Sequence, residues 1–524
     1  MRCARACRET VRTRTAVTEL PWVVAACLGS WWIARTAFTE LGVPAGSDWG
    51  IYLKDAAAIW LPDSGMPFND WRRPLHGYLV GWLGAERSYV EAARLIAAWG
   101  GVATVWAAAI AGRALSGPGV AILAAASVPF VPVTVDAAHW TNHYGLLGAL
   151  VGLAIAAGAC SCRWGSAVAA LGAGLLAGAA MALDLRGLAG AGTAAGLVLL
   201  GVFAPVSWWR RLLLPAAFVA AVAAVSAWHD HLVAIAGLSS LPFDEQVRIQ
   251  RALTLQAIRL EGGGPGGALN ACLDLSATSM TLAGLQEPCS RALFASNIQR
   301  LAVSLPPVAW LLALAPALLP ARWGWRSTLA GLGVLVAPVL AMLVGLAWVL
   351  GQPRYLTPLA VSLVLLAPLA AARVAERSPR LVGLGLWALA VFAVTQWPGV
   401  TADREAWPSA PSGRPEGLAS LAERVLDQGS ADPIVDCGGS GLEVFALPEV
   451  VDLRALVGSS PGRCLVALED LATGGQPGWG ITLLRKDAAS PGIVLSQDAV
   501  EALGFERALV VGHGMERFAL WRIE

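Results

Sequence analysis

Windows of about 20 mostly apolar residues, long enough to carry a helix across a hydrocarbon core, recur along the first three quarters of this chain. Eleven can be read, near 18–40, 89–112, 116–135, 139–160, 165–184, 187–205, 211–233, 300–320, 327–350, 355–374 and 381–398. Most are joined by short polar connections, but two connections are long, 42–88 and 234–299. Beyond Pro398 the pattern changes. PEGLASLAERVLDQG has the spacing of an amphipathic helix ending at glycine, while PIVDC, RCLVAL, GITLLR, GIVLS, RALVVG and RFALWRI read as strands bounded by Gly, Pro, Asp or Ser. The patterning predicts an all-α polytopic membrane bundle of about eleven spans over residues 1–399, followed by a small α/β domain over 400–524.

Composition excludes an ordinary soluble globule. The 524 residues are 56% hydrophobic and 14% charged, with mean hydropathy +0.61, against a charged fraction of about 25% in soluble domains. No internal repeat is evident, which argues against a transporter made of duplicated halves. Within the first long connection, SDWGIYLKDAAAIW reads as a short amphipathic helix capped by Ser47 or Asp48, and LHGYLVGWLG is apolar but too short to span. The second begins with the helical pattern LPFDEQVRIQRALTLQAIRLE and runs into EGGGPGG, an arrangement suited to a lid.

Arginine placement gives the orientation, because short basic loops stay cytoplasmic. Arg2, Arg5, Arg8, Arg12 and Arg14 put the N-terminus inside. Alternate connections then hold Arg113; Arg163; Arg210 and Arg211; Arg322 and Arg326; and Arg373, Arg377 and Arg380. The intervening ones hold Asp48, Asp55, Asp63, Asp70, Asp136 and Asp184. The C-terminal domain is therefore expected outside. No clean small-x-small site follows Phe38, so the first apolar run reads as an uncleaved helix integral to the plasma (inner) membrane. The net charge of +1 is dispersed along helix ends and offers no patch for nucleic acid. Cys272 and Cys289 share one outer segment and Cys437 and Cys464 another, as disulfides or as separate thiols.

Ionisable residues avoid the spans and gather at their outer ends, a distribution suited to surface chemistry and not to a proton relay across the bundle. Asp48 leads, with Tyr52 one helical turn on and Arg72, Arg73, Pro74, Leu75 and His76 closing the loop. In VDAAHWTNHYG, the spacing of Asp136, His139 and His143 would place all three on one face of a helix starting there. They form either a divalent-cation site, zinc for instance, or an ordinary polar helix start. Arg186 in ALDLRGL and Arg354 beside Tyr355 in GQPRYLTPLAVSL sit at outer helix ends, where a guanidinium can hold a lipid phosphate by paired hydrogen bonds. Arg186 can equally pair with Asp184, and Arg354 can anchor at the interface. His229, Asp230 and His231 also lie at an outer end, but alternate residues of a helix diverge and do not share one ligand.

The order of first span, outer Asp, D-x-x-x-Y, a small apolar helix and a P-L turn resembles the GT-C superfamily of membrane glycosyltransferases. That superfamily includes protein O-mannosyltransferases and lipid A aminoarabinose transferases, and GQPRYLTPLAVSL is similar to its R-Y-L-x-P turn. The resemblance spans the first ten helices. It implies a sugar donor on a polyprenyl phosphate, an acceptor that is a glycan, lipid or protein, inversion at the anomeric carbon, and Asp48 as the base. Asp136 would be the second-loop acid, and Tyr52, Arg73, His139, Arg186, Arg354 and Tyr355 would bind substrate. Many members carry a second acid directly after the first. Trp49 stands there, which departs from a dual-carboxylate or metal-dependent site. Other classes that fit many spans are a transporter or flippase of lipid-linked glycans, which needs polar residues deep in the bundle, and an envelope scaffold, in which Asp48, Asp136 and Arg354 would not converge.

Overall fold

The computed structural model describes residues 2–39, 55–60 except 57, 73–84, 89–139, 142–235, 288–304, 324–345, 353–377, 434–436, 453–456, 461–475, 477–485, 495–513 and 516–523. The helices are α1 (Arg2–Thr39), α2 (Leu75–Gly84), α3 (Tyr89–Leu115), α4 (Pro118–Ser127), α5 (Pro132–His139), α6 (Tyr144–Trp164), α7 (Ala167–Leu183), α8 (Gly187–Gly201), α9 (Trp208–Ile235), α10 (Pro288–Ser304), α11 (Trp325–Gly345) and α12 (Ala360–Arg377). A 3₁₀ segment, Pro353–Leu359, leads into α12. Five helical stretches among the described residues are long and apolar enough to cross a membrane, and α4, α7 and α8 are shorter apolar helices. Large apolar side chains exposed on the bundle surface, such as Val168, Leu212, Val219 and Trp208, fit an integral membrane protein whose outer surface meets lipid.

α6 is the pivot of the bundle, packing on α3, α7, α8 and the 3₁₀ segment. Glycine allows this. A Cβ on Gly145 would lie 2.4 Å from the Ala137 carbonyl oxygen and 3.2 Å from Ala97 Cα, and one on Gly148 would lie 2.7 Å from Thr357 Cγ2. Backbones therefore approach where larger side chains would hold them apart. The result sets the N-terminal end of α6 against Thr357 and its neighbours.

The window 116–135, expected as one span, is two helices. α4 ends at Ser127, a 3₁₀ turn covers Val128–Phe130, and α5 begins at Pro132. Pro129 and Pro132 lack the N–H groups that would continue the ladder. Thr134 stabilises the break by donating its hydroxyl to the carbonyls of Val128 (2.6 Å) and Val131 (2.7 Å).

The two ends of the bundle are chemically distinct. At one end Arg326 donates to the carbonyls of Phe203 (2.7 Å) and Cys162 (3.1 Å), and Ser327 to that of Leu115 (2.8 Å), so a basic residue caps the C-terminal ends of α6 and α8. Arg113 binds Glu19 at 2.6 Å. These residues belong to the connections expected inside. At the opposite end, Asp184 and Arg186, expected outside, meet His143 and Tyr355.

The C-terminal sheet has the order β2-β1-β3-β5-β4, with β1 (Ile434–Asp436), β2 (Leu453–Leu456), β3 (Gly478–Arg485), β4 (Glu506–His513) and β5 (Glu516–Ile523). β1 is parallel to β2 and β3, and β5 is antiparallel to β3 and β4. α13 (Pro461–Thr473) and α14 (Gln497–Glu501) accompany it. Leu468, Leu471, Val500, Phe505 and Trp521 form its core, and the buried Trp521 indole donates to Thr482 Oγ1 at 2.7 Å. RCLVAL, expected as a strand, lies in α13. Leu465, Leu468 and Leu471 recur every three residues toward the core while Val466 and Glu469 are exposed, a period a six-residue window cannot display. The other expected strands that fall among the described residues, PIVDC, GITLLR, RALVVG and RFALWRI, hold β1, β3, β4 and β5. The helix expected in PEGLASLAERVLDQG and the spans near 300–320 and 381–398 lie wholly or mostly outside the described residues.

Candidate functional site

Four elements bring polar side chains together at the end of the bundle opposite Arg326. The turn from α7 into α8 is tight because Gly187 packs on the backbone of Ala180, where a Cβ would lie 2.4 Å from its carbonyl. That turn carries Asp184 and Arg186. Asp184 accepts the Arg186 backbone N–H at 2.7 Å on Oδ1, and Oδ2 lies 2.9 Å from His143 Nε2 and 3.1 Å from Arg186 Nη1. His143 and Tyr144 come from the start of α6, and the same Arg186 nitrogen donates to the Tyr144 hydroxyl at 3.1 Å. The guanidinium stacks over Tyr355, 3.7 Å from the ring centroid, so the 3₁₀ segment closes the group. From α2, His76 meets His143 edge to face, with ring centroids 6.2 Å apart.

Asp184 is the electrostatic centre. Burial alone would raise its carboxyl pKa, but the Arg186 charge and the His143 hydrogen bond outweigh it and hold the group well below the usual carboxylate range. Arg73, just before α2, is pulled down by burial and back up by Asp184 and Asp230. An arginine remains charged through such shifts. Arg186 is thus a fixed cation with one planar face on Tyr355 and an edge tied to Asp184 and Tyr144.

Of the residues singled out in the sequence, Arg186, Tyr355 and His143 meet in this cluster, and Arg73 lies within electrostatic reach of its Asp184. Asp48 and Tyr52 lie outside the described residues. Asp136 is in α5 and Arg354 in the 3₁₀ segment, but their side chains are outside the described set. The single helical face expected for Asp136, His139 and His143 does not form, because α5 ends at His139 and His143 precedes α6. His139 Nδ1 lies 2.6 Å from the Val135 carbonyl of its own helix, and His143 faces Asp184. Among the described residues no group of three His, Cys, Asp or Glu side chains could hold a metal ion. Cys289 is disulfide-bonded; Cys272 and Cys437 lie outside the described residues. His229 is buried while its neighbour Asp230 and the alternate residue His231 are exposed, in line with the expected divergence. Tyr144 and the role of Asp184 as hub were not read from the sequence. The partners of Asp184 include one 41 positions away, and no local spacing announces it.

The helical bundle and the C-terminal sheet together have the fold of two solved ArnT structures. The chain is similar to ArnT, an aminoarabinose transferase, from Cupriavidus metallidurans bound to undecaprenyl phosphate, with TM-score 0.55 and 16% identity over 96% of this chain and 98% of that one. The apo state of the same protein gives TM-score 0.51 and 16% identity over 99% and 98%. The Archaeoglobus fulgidus oligosaccharyltransferase in complex with zinc and sulfate gives TM-score 0.42 and 13% identity over 84% and 59%. At these identities the likeness to ArnT is one of fold. No family model and no curated protein sequence matches the chain.

Proposed function

We propose that this protein is an integral membrane glycosyltransferase that moves a sugar from a polyprenyl-phosphate carrier to an acceptor at the outer face. The observation that carries the proposal is the convergence of Arg186, Tyr355, Tyr144, His143 and Asp184 from separate helix ends, at the end of a fold shared with an enzyme that binds undecaprenyl phosphate. A bundle wall supplies apolar contact for the prenyl chain, and a cation at its rim supplies the partner for the phosphate.

In this reading Arg186 holds the carrier phosphate, with Arg354 and Arg73 contributing charge and Tyr52, His139 and Tyr355 shaping the pocket. An acceptor hydroxyl or amine attacks the anomeric carbon as the sugar–phosphate bond breaks. The carrier phosphate leaves with the electron pair, and the acceptor proton passes to a carboxylate, Asp48, with Asp136 as the second acid of the site. A single displacement inverts the anomeric carbon. The outward-facing domain, residues 400–524, covers the site or receives the acceptor.

The test is transfer from a labelled polyprenyl-phosphate sugar by the purified full-length protein. Transfer that Asp48→Asn lowers by about a hundredfold or more is the expected result, in line with loss of a general base. Full activity in that variant rejects the role of Asp48, and no transfer by the parent chain to any envelope acceptor rejects the enzyme.

A further inference from the structure

Asp184 has a neighbour beyond the Arg186 group. Arg73 lies within electrostatic reach of Asp184, of Asp230 and of His229. α2 and the outer end of α9 are tied together by Tyr78, whose hydroxyl donates to the Leu232 carbonyl at 2.9 Å. His229 is only 6% exposed. Its Nδ1 lies 3.6 Å from Asp230 Oδ1, and its Nε2 is buried with no hydrogen-bond partner among the described residues. Arg73 Nε is in the same condition. Buried polar groups are nearly always paired, so two unpaired ones on side chains within electrostatic reach of each other point to a shared partner.

Their chemistry identifies that partner. A guanidinium N–H only donates. An imidazole whose Nδ1–H is turned to Asp230 becomes a donor at Nε2 on taking up a proton, with Asp230 as its counter-charge. Arg73 and Arg186 face Asp184 and Asp230, and a proton on His229 adds one positive charge to the group. We infer that Arg73 and His229 form an oxyanion subsite beside the Arg186–Tyr355 group that binds a phosphate or carboxylate of a substrate. This rests on reading the outer end as the substrate cavity. The oxyanion belongs either to the lipid carrier or to the acceptor.

The test uses the full-length protein in lipid nanodiscs and calorimetric titration with inorganic phosphate. Expected are binding with proton uptake, seen as a buffer-dependent enthalpy, and a loss of about tenfold or more in affinity in His229→Asn and in Arg73→Gln, each a charge-assisted hydrogen bond removed. The proton uptake disappears in His229→Asn, and Arg73→Lys recovers part of the affinity. Farnesyl phosphate competing one-for-one assigns the subsite to the carrier; simultaneous binding of both ligands assigns it to the acceptor. Affinity within twofold of the parent in both variants, with unchanged thermal melting, overturns the inference, as does abolition of all phosphate binding by Arg186→Gln alone. Phosphate binding that persists in a protein with no sugar-transfer activity rejects the enzyme and leaves the subsite standing.

Discussion

Asp184 carries three interactions on one carboxylate, and its removal should be felt at each. Asp184→Asn leaves Arg186 without its counter-charge and His143 with a weaker partner. Breaking a largely buried ion pair in this way costs on the order of 3 kcal/mol, so the variant should melt measurably lower in detergent. The folded-state pKa of the group is depressed, so its contribution is complete above the ordinary carboxylate value of about 4 and is lost only as pH falls through the lowered one. Thermal stability of the parent should therefore owe nothing to Asp184 titration between pH 5 and 8 and should decline at more acid pH, a decline smaller in Asp184→Asn. Arg186→Lys tests the other half of the pair. It keeps the charge but loses the planar stack on Tyr355, and donor KM should rise about tenfold with little change in melting. ALDLRGL already contained the local half of this arrangement, since Asp184 and Arg186 are two residues apart. The sequence offered His143 as a candidate metal ligand beside Asp136 and His139 and Tyr355 as a substrate-binding residue, but their meeting with Asp184 and Arg186 depends on how α6 and the 3₁₀ segment pack.

At the scale of helices, the site depends on how closely α6 is held. Gly145→Val would drive a side chain into the Ala137 carbonyl, backbone that cannot rotate away. The expected cost is about 1–3 kcal/mol or more, read as a lower melting temperature and lower yield. Gly172, on α7, has nothing within 4 Å of a Cβ, so Gly172→Ala should be neutral or raise stability by up to about 1 kcal/mol through helix propensity. Equal effects of the two substitutions would show that packing at Gly145 is not what holds the helices. The apolar windows located α3, α6, α7, α8, α9 and α11 without any of this detail, since length and hydropathy suffice in a membrane. The broken pair α4 and α5 was hidden because hydropathy does not register prolines, although VPFVP contained the break.

The whole molecule sorts its charges by end. Arg326 caps the far ends of α6 and α8 where they meet α11, while Asp184, Arg186 and His143 meet at the other end. For these described residues, the alternation of basic and acidic connections in the sequence is a separation in space. The arginines predict which end faces the cytoplasm, because translocation disfavours short basic loops. The N-terminal helix begins with five of them within its first 14 residues, and every connection counted inward from it repeats the bias. This fixes an expected outcome for labelling intact cells with a membrane-impermeant maleimide, scored against the parent chain. A cysteine at Glu501, exposed on the C-terminal domain, should react from outside, and one at Arg210, exposed at the start of α9, should react only after permeabilisation. The reverse pattern would place the Asp184–Arg186 cluster in the cytoplasm. A carrier-linked donor would then have to be used on that side, and the outer-face transfer proposed above would fall even if the chemistry of the cluster stood.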